Sequence, residues 1–181
     1  MPAAEVTEAA ITRAEAVNPG LNAICLPQYQ EARSQGVSDG PFSGVPMLLK
    51  DLGQEQAGQP CTMGSRGLRN RVMPEDSDYV VKAREAGLVF IGRTATPEFG
   101  LKAVTESQLW GPTRNPWHTG LTPGGSSGGP GAAVAAGMGP PLIPLRPRRR
   151  IGKDELRCTV VSQKKETTTK THDRGRCRTS D

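Results

Sequence analysis

Apolar residues follow two different spacings along the first part of the chain. In residues 4–17, Val6, Ala9, Ala10, Ile11 and Ala14 recur at intervals of three and four, which places them on one face of a helix. Ala, Glu and Arg fill much of the rest and favour that state. Asn18-Pro19-Gly20 predicts its stop. The short apolar stretch 21–26 predicts a strand, residues 28–34 a further helical turn, and Ser38-Asp39-Gly40-Pro41 a loop. Gly44-Val45-Pro46-Met47-Leu48-Leu49-Lys50-Asp51 is a continuous apolar run bounded by Gly and Pro and closed by charge, the pattern of a buried strand.

Residues 53–74 are polar and glycine-bearing, so an irregular segment is expected. Asp76 or Ser77 is placed to cap a helix running to Glu85 or Ala86, with Val80, Val81 and Arg84 on one flank and Gly87 as its stop. Leu88-Val89-Phe90-Ile91-Gly92 is the clearest buried strand. This helix–glycine–strand passage is an α/β signature. Thr96-Pro97-Glu98-Phe99 predicts a helix start with Pro at its first position. Residues 110–125 hold three prolines and four glycines and read as an extended loop.

That loop delivers Pro123-Gly124-Gly125-Ser126-Ser127-Gly128-Gly129, with a small-residue helical run from Gly131 to Ala136 directly behind it. Paired glycines let backbone N–H groups and a serine hydroxyl approach another group closely. A bare Gly/Ser stretch is also what a flexible linker looks like. The proline-fixed turn in front and the Ala/Val helix behind favour a site loop.

Charge separates the body from the tail. Residues 139–181 carry 12 Lys+Arg and 5 Asp+Glu, and residues 1–138 carry 11 and 13. A mildly acidic body, 5–138, is thus followed by a basic tail, 139–181. The tail has no hydrophobic periodicity and too little apolar surface to offset its ordering entropy, so disorder is expected there. The four cysteines, Cys25, Cys61, Cys158 and Cys177, form no CxxC pair and read as reduced thiols. No metal and no cofactor is implied. No apolar run approaches a membrane span, and Met1-Pro2-Ala3-Ala4-Glu5-Val6 lacks the layout of a signal peptide, so a cytoplasmic protein is the expectation.

Three blocks now combine. They are residues 44–51, residues 78–99, and Gly111-Pro112-Thr113-Arg114-Asn115-Pro116-Trp117 leading into Pro123-Gly124-Gly125-Ser126-Ser127-Gly128-Gly129. In this order and at this spacing the chain resembles the amidase signature family, from about residue 5 to Met138. The resemblance implies the N-terminal part of a larger α/β mixed-sheet domain and a hydrolase that cleaves carboxamide C–N bonds. It implies a Ser–cis-Ser–Lys triad in which Lys50 matches the lysine and Ser126 the bridging serine after a cis peptide bond. Gly124, Gly125, Ser127 and Gly128 then support the site loop. A small-molecule amide is the implied substrate, and a homodimer is compatible with the pattern.

The residue types suit that chemistry. A serine hydroxyl is a weak nucleophile until a base takes its proton. A lysine is such a base only when neutral, which requires burial to lower its pKa. A bridging hydroxyl passes a proton because it both donates and accepts. Taken singly, each residue has a plainer reading. Lys50 can pair with Asp51, Ser127 can serve as a structural hydrogen-bonder, and Arg114 and Asn115 can hold the loop. His118 and His172 lack partners at catalytic spacing, and Glu98 and Glu106 form no recognisable acid–base pair.

The chain departs from the family at the nucleophile. A segment like Asp-x-Gly-Gly-Ser is expected about two dozen residues after Ser126, near Arg150, and there the sequence reads Arg146-Pro147-Arg148-Arg149-Arg150. No serine lies between Ser127 and Ser162. The abrupt change after Met138 fits a slip of reading frame, because glycine codons read out of step give arginine-type codons. The chain is therefore expected to be inactive on amides as it stands. Two other readings are a component of a glutamine-dependent amidotransferase and a basic-tail binder of nucleic acid. The tail's charge favours phosphate contacts, but it has no aromatic residue for base stacking, so nucleic acid is the weaker reading.

Overall fold

The computed structural model describes residues 2–36 and 38–139. Helix α1 (Ala3–Leu21) leads into strand β1 (Ile24–Pro27), helix α2 (Tyr29–Ser34) and strand β2 (Pro46–Lys50). After an irregular stretch come helix α3 (Asp78–Glu85), strand β3 (Val89–Thr94), a two-stranded ribbon of β4 (Glu106–Ser107) and β5 (Gly111–Pro112), and helix α4 (Gly128–Ala135).

The sheet has the order β1-β3-β2. β3 pairs parallel with β2 and antiparallel with β1. Because strand side chains alternate, the sheet buries two faces. On one, Ile24, Leu48, Val89 and Ile91 meet Ile11 and Ala14 of α1, Ala32 of α2, and Ala132 and Ala133 of α4. On the other, Met47, Leu49, Leu88 and Phe90 meet Val80 and Ala83 of α3. Strands covered on both sides are predominantly apolar, which is why Pro46–Leu49 and Val89–Ile91 read as continuous runs.

Several boundaries differ from the sequence expectation, each for a local reason. Helix α1 runs through Asn18-Pro19-Gly20 and ends at Asn22, which adopts a left-handed conformation. Pro19 falls in the last turn, where its missing N–H costs a single helical bond. Asn18 then closes the end. Its carbonyl accepts from the Asn22 N–H, and its Oδ1 accepts from the N–H groups of Ala23 and Ile24 at 2.9 and 2.8 Å. The first strand accordingly starts at Ile24 rather than residue 21.

Ser77 precedes α3 without a side-chain cap, its hydroxyl donating instead to the Glu55 carbonyl. Val81 is exposed, whereas Val80 is fully buried. Thr96-Pro97-Glu98-Phe99 gives a single 3-10 turn at Glu98–Gly100, because Pro97 stays extended and Phe99 takes a positive φ of 52°. The ribbon β4–β5 lies partly in what reads as an extended loop, and α4 starts at Gly128, ahead of Gly131.

No helix among the described residues is long and apolar enough to cross a membrane. Cys25 and Cys61 are free thiols, and burial raises the pKa of both. The tail from residue 140, with its expected disorder, Cys158, Cys177, His172 and the position of Arg150, lies outside the described residues.

Candidate active site

Lys50 is the last residue of β2, opposite Thr94 of β3. The three residues before it are buried, so the strand carries its terminal amine out of the core edge and leaves it half-buried. Side chains fix the strand end. The Thr94 hydroxyl donates to the Leu49 carbonyl at 3.1 Å, Arg93 Nη1 donates to the Lys50 carbonyl at 3.1 Å, and the Lys50 N–H donates to Gln54 Oε1. Asp51 points elsewhere, since successive residues of an extended chain project to opposite sides. Its fully buried carboxylate accepts from the Thr62 N–H at 2.7 Å, the Thr62 hydroxyl, and Trp110 Nε1 at 3.3 Å. Pairing of Lys50 with Asp51, one plain reading of the sequence, is therefore not what the carboxylate does.

The serine loop comes to this amine from the other direction. Thr105 Oγ1 donates to the Gly124 carbonyl at 2.8 Å and Thr96 Oγ1 to the Ser126 carbonyl at 3.2 Å. Gly125 has backbone of Lys102 and Ala103 against it, and a Cβ there would fall 2.6 Å from the Lys102 carbonyl oxygen. Only glycine fits so close an approach. The Gly125–Ser126 peptide bond is cis. Gly128 is buried and opens α4.

Lys50 Nζ donates to Ser127 Oγ at 3.0 Å and to Ser126 Oγ at 3.3 Å. Burial holds the pKa of the amine below the ordinary lysine value. A lysine so placed spends more time neutral than an exposed one, and a neutral amine in contact with hydroxyls accepts their protons. Lys50, Ser126 and Ser127 are thus brought together, with Gly124, Gly125 and Gly128 forming the loop that carries the hydroxyls.

Other candidates lie apart from this cluster. His118 Nδ1 accepts from the Gly120 N–H in a surface turn, Asn115 Oδ1 accepts from the Trp117 N–H, and Glu98 accepts from the Ser65 hydroxyl. Sequence reasoning missed Thr96, Thr105 and the Asp51–Thr62–Trp110 contacts. Thr62, Thr96 and Thr105 lie outside the strands and are fully buried, which nothing local in the sequence marks.

Comparison with known proteins shows the family. A family profile described as Amidase matches residues 5–141. The chain belongs to the amidase family. It is 45% identical over 139 residues to 6-aminohexanoate-cyclic-dimer hydrolase of Paenarthrobacter ureafaciens, a match covering 75% of this chain and 28% of that protein. It is 41% identical over 151 residues to a component of the glutamyl-tRNA(Gln) amidotransferase of Acidothermus cellulolyticus, covering 78% and 30%. Among solved structures, 6-aminohexanoate cyclic dimer hydrolase complexed with substrate superposes with a TM-score of 0.74 at 44% identity, over 77% of this chain and 30% of that one. The described fold is the N-terminal region of the amidase fold. The chain spans about three-tenths of the length of these relatives.

Proposed function

We propose that residues 5–138 carry the proton-handling half of a carboxamide hydrolase. Lys50 is the base and Ser126 the hydroxyl that relays a proton to it from an attacking serine. The observation that carries this reading is the Lys50 amine, held within 3.3 Å of Ser126 Oγ and kept below its ordinary pKa by burial. In the hydrolysis, the attacking oxygen adds to the amide carbonyl and its proton passes through Ser126 to Lys50. The same proton returns to the leaving nitrogen, giving ammonia or an amine, and water releases the acid.

The sequence has no serine between Ser127 and Ser162 to act as that attacking group. The chain alone is accordingly expected to turn over no carboxamide at a measurable rate. The test joins residues 1–138 to the remainder of the 45% identical cyclic-dimer hydrolase. This chimaera is expected to hydrolyse small amides, with Lys50→Ala and Ser126→Ala each lowering kcat by about 10²–10⁴. A chimaera indifferent to both substitutions contradicts the reading. Sequencing the DNA that encodes the chain beyond Met138 adds an independent check, since another frame there is expected to restore Gly-Gly-Ser.

A relative named as part of an amidotransferase, at 41% identity, supports a second reading in which ammonia passes to a partner. Release of free ammonia by the chimaera without any partner favours the hydrolase.

A further inference from the structure

Ser127 stands at the position immediately before α4, where a serine oxygen ordinarily accepts from an N–H of the first helical turn. Here it makes no side-chain cap. Its hydroxyl turns instead to Lys50 Nζ at 3.0 Å, closer than Ser126 at 3.3 Å. The residue is half-buried, as Ser126 is, while Gly128 and Gly129 directly behind it are buried. A hydroxyl relieved of its structural duty, in contact with a lysine and within reach of solvent, has the components of a two-residue nucleophilic site.

We propose that Ser127 and Lys50 form such a site in this chain, with Ser127 Oγ accepting the acyl group of activated esters. The proposal rests on the reading of Lys50 as a base. Neutral Lys50 takes the proton of Ser127 Oγ as the oxygen bonds to the ester carbonyl carbon, and the bond from that carbon to the aryloxy oxygen breaks. The phenolate departs, and the ammonium of Lys50 returns its proton to phenolate or solvent. Water then adds to the acyl carbon while Lys50 accepts its proton, and the carboxylic acid leaves as Ser127 Oγ is reprotonated. Reactants and products balance as ester plus water to acid plus phenol.

Activated esters are the class that fits, because a phenolate leaves without being protonated. Carboxamides need both a protonated nitrogen and donors to the oxyanion, and loss of one such donor costs about 10²–10³ in rate.

The test uses the 181-residue chain and p-nitrophenyl acetate. A burst of nitrophenol is expected, with the acetyl group located on Ser127 by peptide mass mapping of the unsubstituted chain. Ser127→Ala and Lys50→Met are each expected to slow acylation by about 10²-fold. Lys82→Met, at an exposed lysine paired with Glu85, leaves it unchanged. Acetyl found only on lysine amines, or on Ser126, overturns the proposal, as does a burst that survives in Ser127→Ala. The mapping needs no substituted protein, so an unfolded variant does not blunt it. If the proposal fails while Lys50→Ala still disables the amide-cleaving chimaera, the base reading stands and only the nucleophile is wrong. If the chimaera ignores Lys50→Ala, the base reading itself has failed.

Discussion

Trp110 Nε1 donates to Asp51 Oδ2 at 3.3 Å, joining two residues 59 positions apart in sequence. The contact ties the segment ahead of the serine loop to the residue next to Lys50. Thr62 completes it, its N–H and hydroxyl both donating to the same carboxylate, and its Oγ1 also accepting from Trp110. A buried carboxylate with this many donors anchors the turn after β2, and with it the direction in which Lys50 leaves the strand.

Replacing that carboxylate strands its donors. Asp51→Ala is expected to destabilise the fold by about 3 kcal/mol, because the N–H and hydroxyl of fully buried Thr62 lose their acceptor. Urea unfolding followed by tryptophan fluorescence measures it. A change within about 0.5 kcal/mol, the range of ordinary surface substitutions, contradicts the anchoring role.

Stability should also follow the charge on Lys50. Burial lowers its pKa in the folded state, so between that value and the ordinary one the unfolded chain binds the extra proton. Stability therefore rises with pH across this window, and below the folded-state value the charged amine exacts its full burial cost. Lys50→Met removes that cost. The variant is expected to be more stable than the parent at about pH 7, with the advantage shrinking towards about pH 10 as the parent amine loses its proton. Denaturation curves at both pH values check the sign, and an advantage that widens with pH contradicts it.

Two glycines of α4 should respond oppositely to the same substitution. A Cβ on Gly129 would fall 2.2 Å from the Ala95 carbonyl oxygen, whereas nothing lies within 4 Å of one on Gly131. Gly129→Ala is expected to cost more than about 2 kcal/mol, since α4 must lift off the end of β3. Gly131→Ala is expected to add about 0.5–1 kcal/mol through helix propensity. Thermal unfolding of the pair tests the seating of α4, and equal shifts for both argue against it.

The sequence made β2, β3 and α3 legible because the strands are covered on both faces and the helix is stopped by Gly87, so pattern and punctuation agreed. The end of α1 was not legible. Pro19 reads as a stop, and only the three-dimensional turn lets Asn18 close the helix beyond it. The reach of β3 to Thr94 was hidden for a similar reason, since Arg93 and Thr94 look polar yet are buried and bonded to β2. In the site, Lys50 and Ser126 stood out only through the joint pattern of three blocks; neither is distinctive alone. Ser127 reads as a structural hydrogen-bonder in the loop, and its contact with Lys50 depends on a strand 77 positions away in sequence. The Asp51 cluster left almost no local trace, because its donors come from separate loops.

The most direct measurement is an NMR titration of the Lys50 side chain in the 181-residue chain, with isotope-labelled lysine and Lys50→Met to assign its signal. The predicted result is a midpoint below the ordinary lysine value that moves when Ser126 and Ser127 are both changed to Ala. A midpoint at or above the ordinary value, unmoved by the loss of both hydroxyls, would contradict the assignment of Lys50 as the base of this site.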